Sequence, residues 1–194
     1  MSDPDEGRRR FSRLDDGRIV YRNDWMVVRE QRVERDGVAG TYAFVERPDS
    51  VVVVPLTPRH RTVLLNQFRF PTRASSWESP MGAANDGEAA AAAARRELME
   101  EVGLGTVEMI RIGEYRPNPG LSPQKATVFL ARVDDPMLDR ALACWTSSEE
   151  IQDVSAVPLP DLAVMIADGR ITDGFTLTGF LLVRLWLERQ EPRG

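Results

Sequence analysis

The chain of 194 residues has an ordinary globular composition, with 42% hydrophobic and 28% charged residues and a net charge of -5. The acidic balance argues against nucleic acid as a partner, because a nucleic-acid binder needs a basic face. The single cysteine, Cys144, excludes an internal disulfide framework, and the single histidine, His60, excludes histidine triads and histidine metal cages. Any catalysis is therefore expected to depend on carboxylates.

The chain carries no sign of a membrane partner. Its first residues are polar and lack the apolar core of a secretory signal. The most apolar run, "GFLLVRLWL" at 179–187, is too short to span a bilayer and contains Arg184. Because the lone cysteine also fits a reducing compartment, a cytoplasmic location is expected.

The first half of the chain is predicted to be rich in strands. Residues 1–16 are polar and are expected to be frayed and flexible. The stretches 25–35 and 40–46 flank a "DG" turn and predict a hairpin. Apolar runs then predict buried strands at 50–56 and 61–70.

The second half is predicted to begin with a helix that has Asn85 as its N-cap and ends at Gly103. A later acidic stretch, 134–153, is expected to be irregular or partly helical. The remaining elements are strands at 107–115, 125–133 and 154–159 and helices at 159–169 and 173–190. This order indicates an α+β fold with a mixed β-sheet between helices, an α/β/α arrangement.

The predicted helix concentrates negative charge near its end. Glu97 and Glu101 are one turn apart and share a face, and Glu100 flanks that face. Like charges at this spacing destabilise a helix by a few tenths of a kcal/mol per pair, of which Arg96 offsets part. The negative charge that Arg96 does not offset predicts a bound divalent cation. Mg²⁺ is the cation that best suits carboxylate ligands. The alternative is a solvated acidic helix end.

The spacing of the stretch "GAANDGEAAAAAARRELMEEVGL" argues against that alternative. The stretch follows G-x5-E-x7-R-E-U-x-E-E-x-G-U, with U an apolar residue, at every position. This pattern is the Nudix box, and the chain resembles a Nudix hydrolase. The matching residues are Gly82, Glu88, Arg96, Glu97, Leu98, Glu100, Glu101, Gly103 and Leu104.

The resemblance implies binding of two or more Mg²⁺ ions, or Mn²⁺, and cleavage of a diphosphate linked to another moiety. Such ions neutralise a diphosphate and activate an attacking water. Glu101 and Glu100 then also count as catalytic residues. The implied metal ligands are Glu97, Glu101, Glu100 and the backbone carbonyl of Met81, and the residues that brace the loop are Glu88 and Arg96.

The flanking sequence resembles the ADP-ribose pyrophosphatase branch of that family over about residues 20–185. The strand "NQFRFP" places Arg69 against a substrate phosphate or ribose, although a surface arginine at a strand end is the alternative. The entry "WESPMG" puts Glu78 near the metals. The loop "PNPGLS" supplies Pro119 and Gly120 as further substrate contacts.

A late acidic loop is the expected source of a general base. The resemblance favours Glu150 and then Glu149, while a solvated acidic loop is the alternative. Two positions depart from the branch. Gln124 stands where an acid is usual, and Met81 replaces a small alanine. Because of these two departures the identity of the substrate stays undetermined, whereas the expected metal chemistry is unchanged.

The expected activity is hydrolysis of ADP-ribose or a similar nucleoside diphosphate sugar to a nucleoside monophosphate and a sugar phosphate. Trp25 is the candidate for stacking on the base, with a place in the core as its alternative. The resemblance also implies a homodimer that exchanges an N-terminal β region, 17–49, ahead of a Nudix domain at 50–190. The alternatives are GDP-mannose, NADH or FAD as substrate, or a silent nucleotide-sugar-binding module.

Overall fold

The structure, a computed structural model, describes residues 11–105, 107–146 and 151–190. Within these ranges the strands are β1 (Phe11–Arg13), β2 (Arg18–Arg22), β3 (Val27–Arg35), β4 (Val38–Glu46), β5 (Ser50–Leu56), β6 (Arg61–Arg69), β7 (Ala74–Glu78), β8 (Met81–Ala83), β9 (Glu108–Tyr115), β10 (Ala126–Arg132) and β11 (Ile151–Pro158). The helices are α1 (Ala90–Val102), α2 (Asp135–Cys144), α3 (Leu159–Ala167) and α4 (Gly174–Gln190).

The described chain divides into two compact units. The N-terminal unit contains residues 11–48 together with the loop 118–124, and the second unit contains the rest. Inclusion of that loop in the N-terminal unit was not predicted, because the loop is distant from the unit along the sequence.

The N-terminal unit is an antiparallel sheet built around β3. The predicted hairpin is present: β3 pairs with β4 through a tight turn in which Asp36 and Gly37 both have positive φ. The other edge of β3 pairs with β1 and β2. The expectation of a frayed segment is therefore wrong for Phe11–Arg13, because backbone hydrogen bonds to β3 hold these residues as a strand.

The second unit contains a mixed sheet in the order β8-β5-β10-β9 and an antiparallel sheet in the order β11-β6-β7. In the mixed sheet β5 and β10 are parallel, and the outer pairings are antiparallel. Side chains of β5 alternate between two cores, since Val51 and Val53 enter one and Val52 and Val54 enter the other. This strand is buried on both faces, which explains its unbroken apolar sequence.

Helices cover both faces of the mixed sheet. α1 contributes Ala93 and Leu98 to the first core, and α4 contributes Phe180 and Val183 to the second. Gly179 lets α4 come close to β5, because a Cβ there would lie 3.1 Å from a methyl group of Val52. The predicted α+β fold with a mixed sheet between helices is confirmed.

The start of α1 differs from the prediction. The helix begins at Ala90, and Asn85 instead forms a turn in which its N–H donates to the Glu88 carboxylate over 2.9 Å. Gly87 has φ of 72°, so the right-handed helix cannot run through it. The predicted end is confirmed, since Gly103 caps α1 in the left-handed conformation.

The acidic stretch after β10 is more regular than expected. It contains the full helix α2, whose first turn is capped by the Asp134 side chain accepting from the Met137 N–H over 2.6 Å. Among the described residues, each helix is too short or too polar to cross a lipid bilayer.

Replacing Leu130 with alanine is expected to lower the free energy of unfolding by about 2–5 kcal/mol, because its side chain is fully buried between strands and helix. Urea denaturation measures this loss. The matched control is Leu181→Ala on the exposed side of α4, for which a change within about 0.5 kcal/mol is expected. Equal losses in the two variants would contradict the assigned core.

Candidate functional site

The turn before α1 packs directly against the acidic face of the helix. A Cβ at Gly82 would lie 2.1 Å from Cδ of Glu97, which is far inside any permitted contact. The Glu97 carboxyl group therefore occupies the space that a side chain at position 82 would need. A side chain at position 82 would therefore require the end of the Glu97 side chain to move, and the constraint is close approach because no positive φ is recorded for Gly82, which lies in strand β8.

Arg96 is the centre of the polar contacts around α1. Its guanidinium donates to both carboxylate oxygens of Glu88 at 3.0 and 3.1 Å and to the backbone carbonyl of Ala83 at 2.9 Å. It also donates to Glu97 at 2.7 Å and to Glu100 at 3.1 Å. Hydrogen bonding to Arg96 lowers the pKa of Glu88, and the same contact raises the pKa of Arg96. One cation thus balances three carboxylates and closes the turn onto the helix.

Glu101 lies deeper than the other acids of the helix. Burial raises its pKa to about 8, although the Met81 N–H, which donates to its carboxylate over 3.0 Å, opposes that rise. Burial also raises the pKa of Glu97, against the effect of Arg96. A nearby cation would stabilise the ionised forms of both groups.

Trp145 fixes the end of α1, and the sequence analysis missed it. Its indole N–H donates to the backbone carbonyl of Glu101 over 3.0 Å. That carbonyl lies in the last helical turn, where carbonyl groups lack helical partners. No periodicity in the sequence marks this contact, since Trp145 follows α2 and is 44 residues away.

A buried ion pair joins the ends of β6 and β7. Arg69 donates from Nε to the Glu78 carboxylate at 3.1 Å and also from Nη2. Glu78 is only 2% exposed, and this burial raises its pKa even though Arg69 favours the charged form. The charges of both residues act on Glu101, which places all three in one electrostatic cluster. Arg69 is thus paired with Glu78, while 42% of its side chain remains exposed at the end of β6, and its contact with a substrate stays a prediction.

Asp173 adds an acid that the sequence analysis overlooked. It precedes α4 and accepts from the Thr176 N–H over 2.7 Å, as an N-cap does. Its charge acts on both Arg69 and Glu78. The Asp-x-x-Thr spacing at a helix start was the available signal.

The other predicted site residues belong to the N-terminal unit or lie outside the described residues. Trp25 belongs to the N-terminal unit, where it is 77% exposed, so the alternative of a core tryptophan is wrong. Pro119 and Gly120 belong to the same unit, and the Gly120 carbonyl accepts from the Tyr42 hydroxyl over 2.6 Å. The two candidate general bases, Glu149 and Glu150, lie outside the described residues.

Gln124, which replaces the expected acid, has a structural contact. Its side-chain amide is buried and donates to the Pro48 carbonyl over 2.7 Å, within the N-terminal unit. An amide N–H suits this acceptor, whereas an ionised carboxylate would have no proton to donate.

The chemistry of the acids around α1 suits a hard divalent cation. The available donors are carboxylate oxygens and backbone carbonyls, which are the ligands that Mg²⁺ prefers. Across residues 11–105, 107–146 and 151–190, no three acidic, histidine or cysteine side chains form a ready-made cluster for a metal. In the described geometry Glu97 and Glu100 are turned to Arg96 instead.

Comparison with known proteins gives consistent matches. Residues 46–175 match the NUDIX domain family. A CMP-5'-(N-acetyl-N-hydroxy-3-aminopropyl)phosphonate hydrolase from Streptomyces rubellomurinus is 28% identical, over 90% of this chain and 84% of that protein. An ADP-ribose pyrophosphatase from Bacillus subtilis is 26% identical, over 73% of this chain and 75% of that protein. A solved ADP compounds hydrolase has the same fold, with a TM-score of 0.74 at 22% identity over 93% of this chain and 96% of that one.

Gly82→Ala is expected to destabilise the protein by about 1–3 kcal/mol, because the new Cβ collides with the Glu97 carboxyl group. The penalty should shrink in a Glu97→Ala background, giving a coupling of about 0.5–3 kcal/mol in a double-mutant cycle measured by urea denaturation. Gly40→Ala is the matched control, since no described atom lies within 4 Å of its added Cβ. Additive losses for positions 82 and 97 would contradict the contact.

Proposed function

We propose that this chain, which belongs to the NUDIX family, is a Mg²⁺-dependent hydrolase that cleaves the diphosphate bond of ADP-ribose or a similar nucleoside diphosphate sugar. Water is added across the P–O–P linkage, and the products are a nucleoside monophosphate and a sugar phosphate. The observation that carries this proposal is the complete box around α1, in which Gly82 admits the Glu97 carboxyl group and Arg96 holds the surrounding acids.

The proposed division of roles rests on the Nudix box. Glu97, Glu101 and the Met81 carbonyl would hold the divalent cations, and Glu100 would be a further ligand at the more exposed edge. Mg²⁺ bound there would neutralise the diphosphate and lower the pKa of the attacking water. Arg96 holds the ligand carboxylates in place by hydrogen bonds, as partners of metal ligands commonly do.

The remaining roles concern the substrate and the proton. Arg69, at the end of β6, is proposed to donate to a phosphate or ribose oxygen of the substrate. Its hydrogen bond to Glu78 fixes the orientation of its guanidinium group. Trp25, Pro119 and Gly120 are proposed substrate contacts. Glu150, and after it Glu149, is the proposed acceptor of the proton from water.

The substrate assignment is supported by the names of similar proteins. The ADP-ribose pyrophosphatase and the ADP compounds hydrolase both favour an adenosine diphosphate substrate. A CMP-linked phosphonate is a second candidate, because the hydrolase of that name aligns over 90% of this chain. The complete box argues against a silent binding module. A homodimer with exchanged N-terminal strands and a cytoplasmic location stay predictions.

A substrate panel tests the assignment. Purified protein with Mg²⁺ is offered ADP-ribose, GDP-mannose, NADH, FAD and a CMP-linked phosphonate at equal concentration, and kcat/KM is measured for each by product chromatography. We expect ADP-ribose to have the highest value, and we expect chelation with EDTA to abolish turnover and added Mg²⁺ to restore it. A higher kcat/KM for the CMP-linked phosphonate would favour the second candidate. Turnover that persists in EDTA would contradict the metal requirement.

Glu101→Gln is expected to lower kcat by more than about a hundredfold, since even residues that only contact metal ligands cost about 10–100-fold when they are replaced. The amide can still accept from the Met81 N–H, so the fold should survive, as circular dichroism would verify. Glu188→Gln is the matched control, because that carboxylate lies near the end of α4 in an exposed pair with Arg184. A kcat close to that of the unsubstituted protein would refute the assigned role of Glu101.

A further inference from the structure

The first turn of α4 is hydrogen-bonded to the segment that leads into the box. The Ser79 N–H donates to the Thr176 hydroxyl over 2.9 Å, and both residues are almost completely buried. Ser79 directly follows Glu78 and precedes Met81 by two residues. A buried backbone N–H needs a partner, so the hydroxyl fixes the position of this peptide.

Asp173 sets the direction of that hydroxyl. The Thr176 O–H donates to the Asp173 carboxylate over 2.8 Å, and the same oxygen of Asp173 accepts from the Thr176 N–H. Because the hydroxyl proton is committed to Asp173, a lone pair of the hydroxyl oxygen is left to accept from Ser79. Asp173, the N-cap residue of α4, is thus linked through the Thr176 hydroxyl to Ser79, which lies just before the Nudix box.

The segment from Ser79 to Met81 is held at three successive points. Ser79 is bound to Thr176, the Pro80 carbonyl accepts from the Val53 N–H over 2.8 Å, and the Met81 N–H donates to Glu101 over 3.0 Å. Helix α4, strand β5 and helix α1 therefore meet through three residues. Met81, two residues after Ser79, supplies the N–H that donates to the Glu101 carboxylate.

The loop before α4 adds two contacts to the neighbouring strand. The Thr172 N–H donates to the Ser76 hydroxyl over 3.1 Å, and the Trp77 N–H donates to the Arg170 carbonyl over 2.9 Å. The free edge of β7 is thereby covered, since its other edge pairs with β6. The strand that carries Glu78 is consequently fixed on both sides.

We propose that Thr176 and Asp173 are positioning residues of the site, which hold the Ser79–Met81 segment so that Glu101 and Glu78 face the cation and the substrate. This inference rests on the proposed function for its catalytic consequence. The hydrogen bonds that link Asp173 to Thr176 and Thr176 to Ser79 do not depend on the proposed function. Neither residue contacts the reacting atoms in this scheme.

Thr176→Val tests the link through Thr176, because valine keeps the shape of threonine and removes the hydroxyl. We expect faster amide hydrogen exchange in the peptide containing Ser79 and Met81, measured without metal, and about 10–100-fold weaker Mn²⁺ binding, measured by electron paramagnetic resonance. We also expect kcat for ADP-ribose to fall more than KM changes. Thr176→Ser, which keeps the hydroxyl, should restore all three values.

The matched control is Thr62→Val, which removes a buried hydroxyl that has no hydrogen-bond partner within the described part of the chain. Unchanged exchange and Mn²⁺ binding are expected for this control. If Thr176→Val fails to fold, Asp173→Ala replaces it, because alanine removes the oxygen that accepts the Thr176 hydroxyl proton, and faster exchange at Ser79 is again expected. Exchange and Mn²⁺ affinity in Thr176→Val that match the unsubstituted protein would overturn the proposal, as would losses in Thr176→Ser or Thr62→Val as large as those in Thr176→Val.

The same measurements separate the two hypotheses. Altered exchange and Mn²⁺ affinity in Thr176→Val, together with no turnover of any panel substrate by the unsubstituted protein, would refute the proposed function and support the link through Thr176. Turnover of ADP-ribose with unaltered exchange and Mn²⁺ affinity in Thr176→Val would support the function and refute the link. If the unsubstituted protein bound no Mn²⁺, hydrogen exchange alone would test the link through Thr176. Faster exchange in Thr176→Val would support it, and unchanged exchange would refute it.

Discussion

The Arg96 guanidinium makes it possible for several carboxylates to share one helical turn. Without it, Glu97 and Glu100 would repel each other beside a partly buried surface, and Glu88 would have no cationic partner in the described geometry. The planar group reaches all three acids and the Ala83 carbonyl at once, which a lysine ammonium cannot do with the same geometry. Arg96 thus holds the turn against α1, while the pairing of β8 with β5 fixes the strand that carries Gly82.

Burial and charge divide the acids of the site into two kinds. Glu100 is 57% exposed and paired with Arg96, whereas Glu101 is partly buried and accepts from a backbone N–H. An acid in the second environment is destabilised in its charged form until a cation approaches, and such groups mark functional sites more often than exposed ion pairs do. The pair formed by Arg69 and Glu78 brings one further charge of each sign to the same cluster.

Predictions from short sequence patterns were correct where residues close together in the chain determine the local structure. The hairpin turn at Asp36 and Gly37, the cap at Gly103 and the buried strand β5 were all predicted from short patterns. The prediction of the start of α1 failed because two signals competed. Asn85 and Glu88 form a reciprocal turn as expected for a cap, but Gly87 adopts a left-handed conformation and delays the helix to Ala90.

The sequence by itself determined the identity of the box, because the chemistry requires given residue types at fixed spacings along one helix and its preceding turn. It also determined the order of the longer strands and of α1, α3 and α4, since alternation and capping are local properties, whereas the short strands β1, β2, β7 and β8 were not predicted. Only the tertiary structure decided that Trp145 caps the carbonyl of Glu101 and that Thr176 holds Ser79, which are 44 and 97 residues apart in the chain. Hydrogen bonds between such distant residues depend on how sheets and helices pack, and no periodicity in a single chain records that packing.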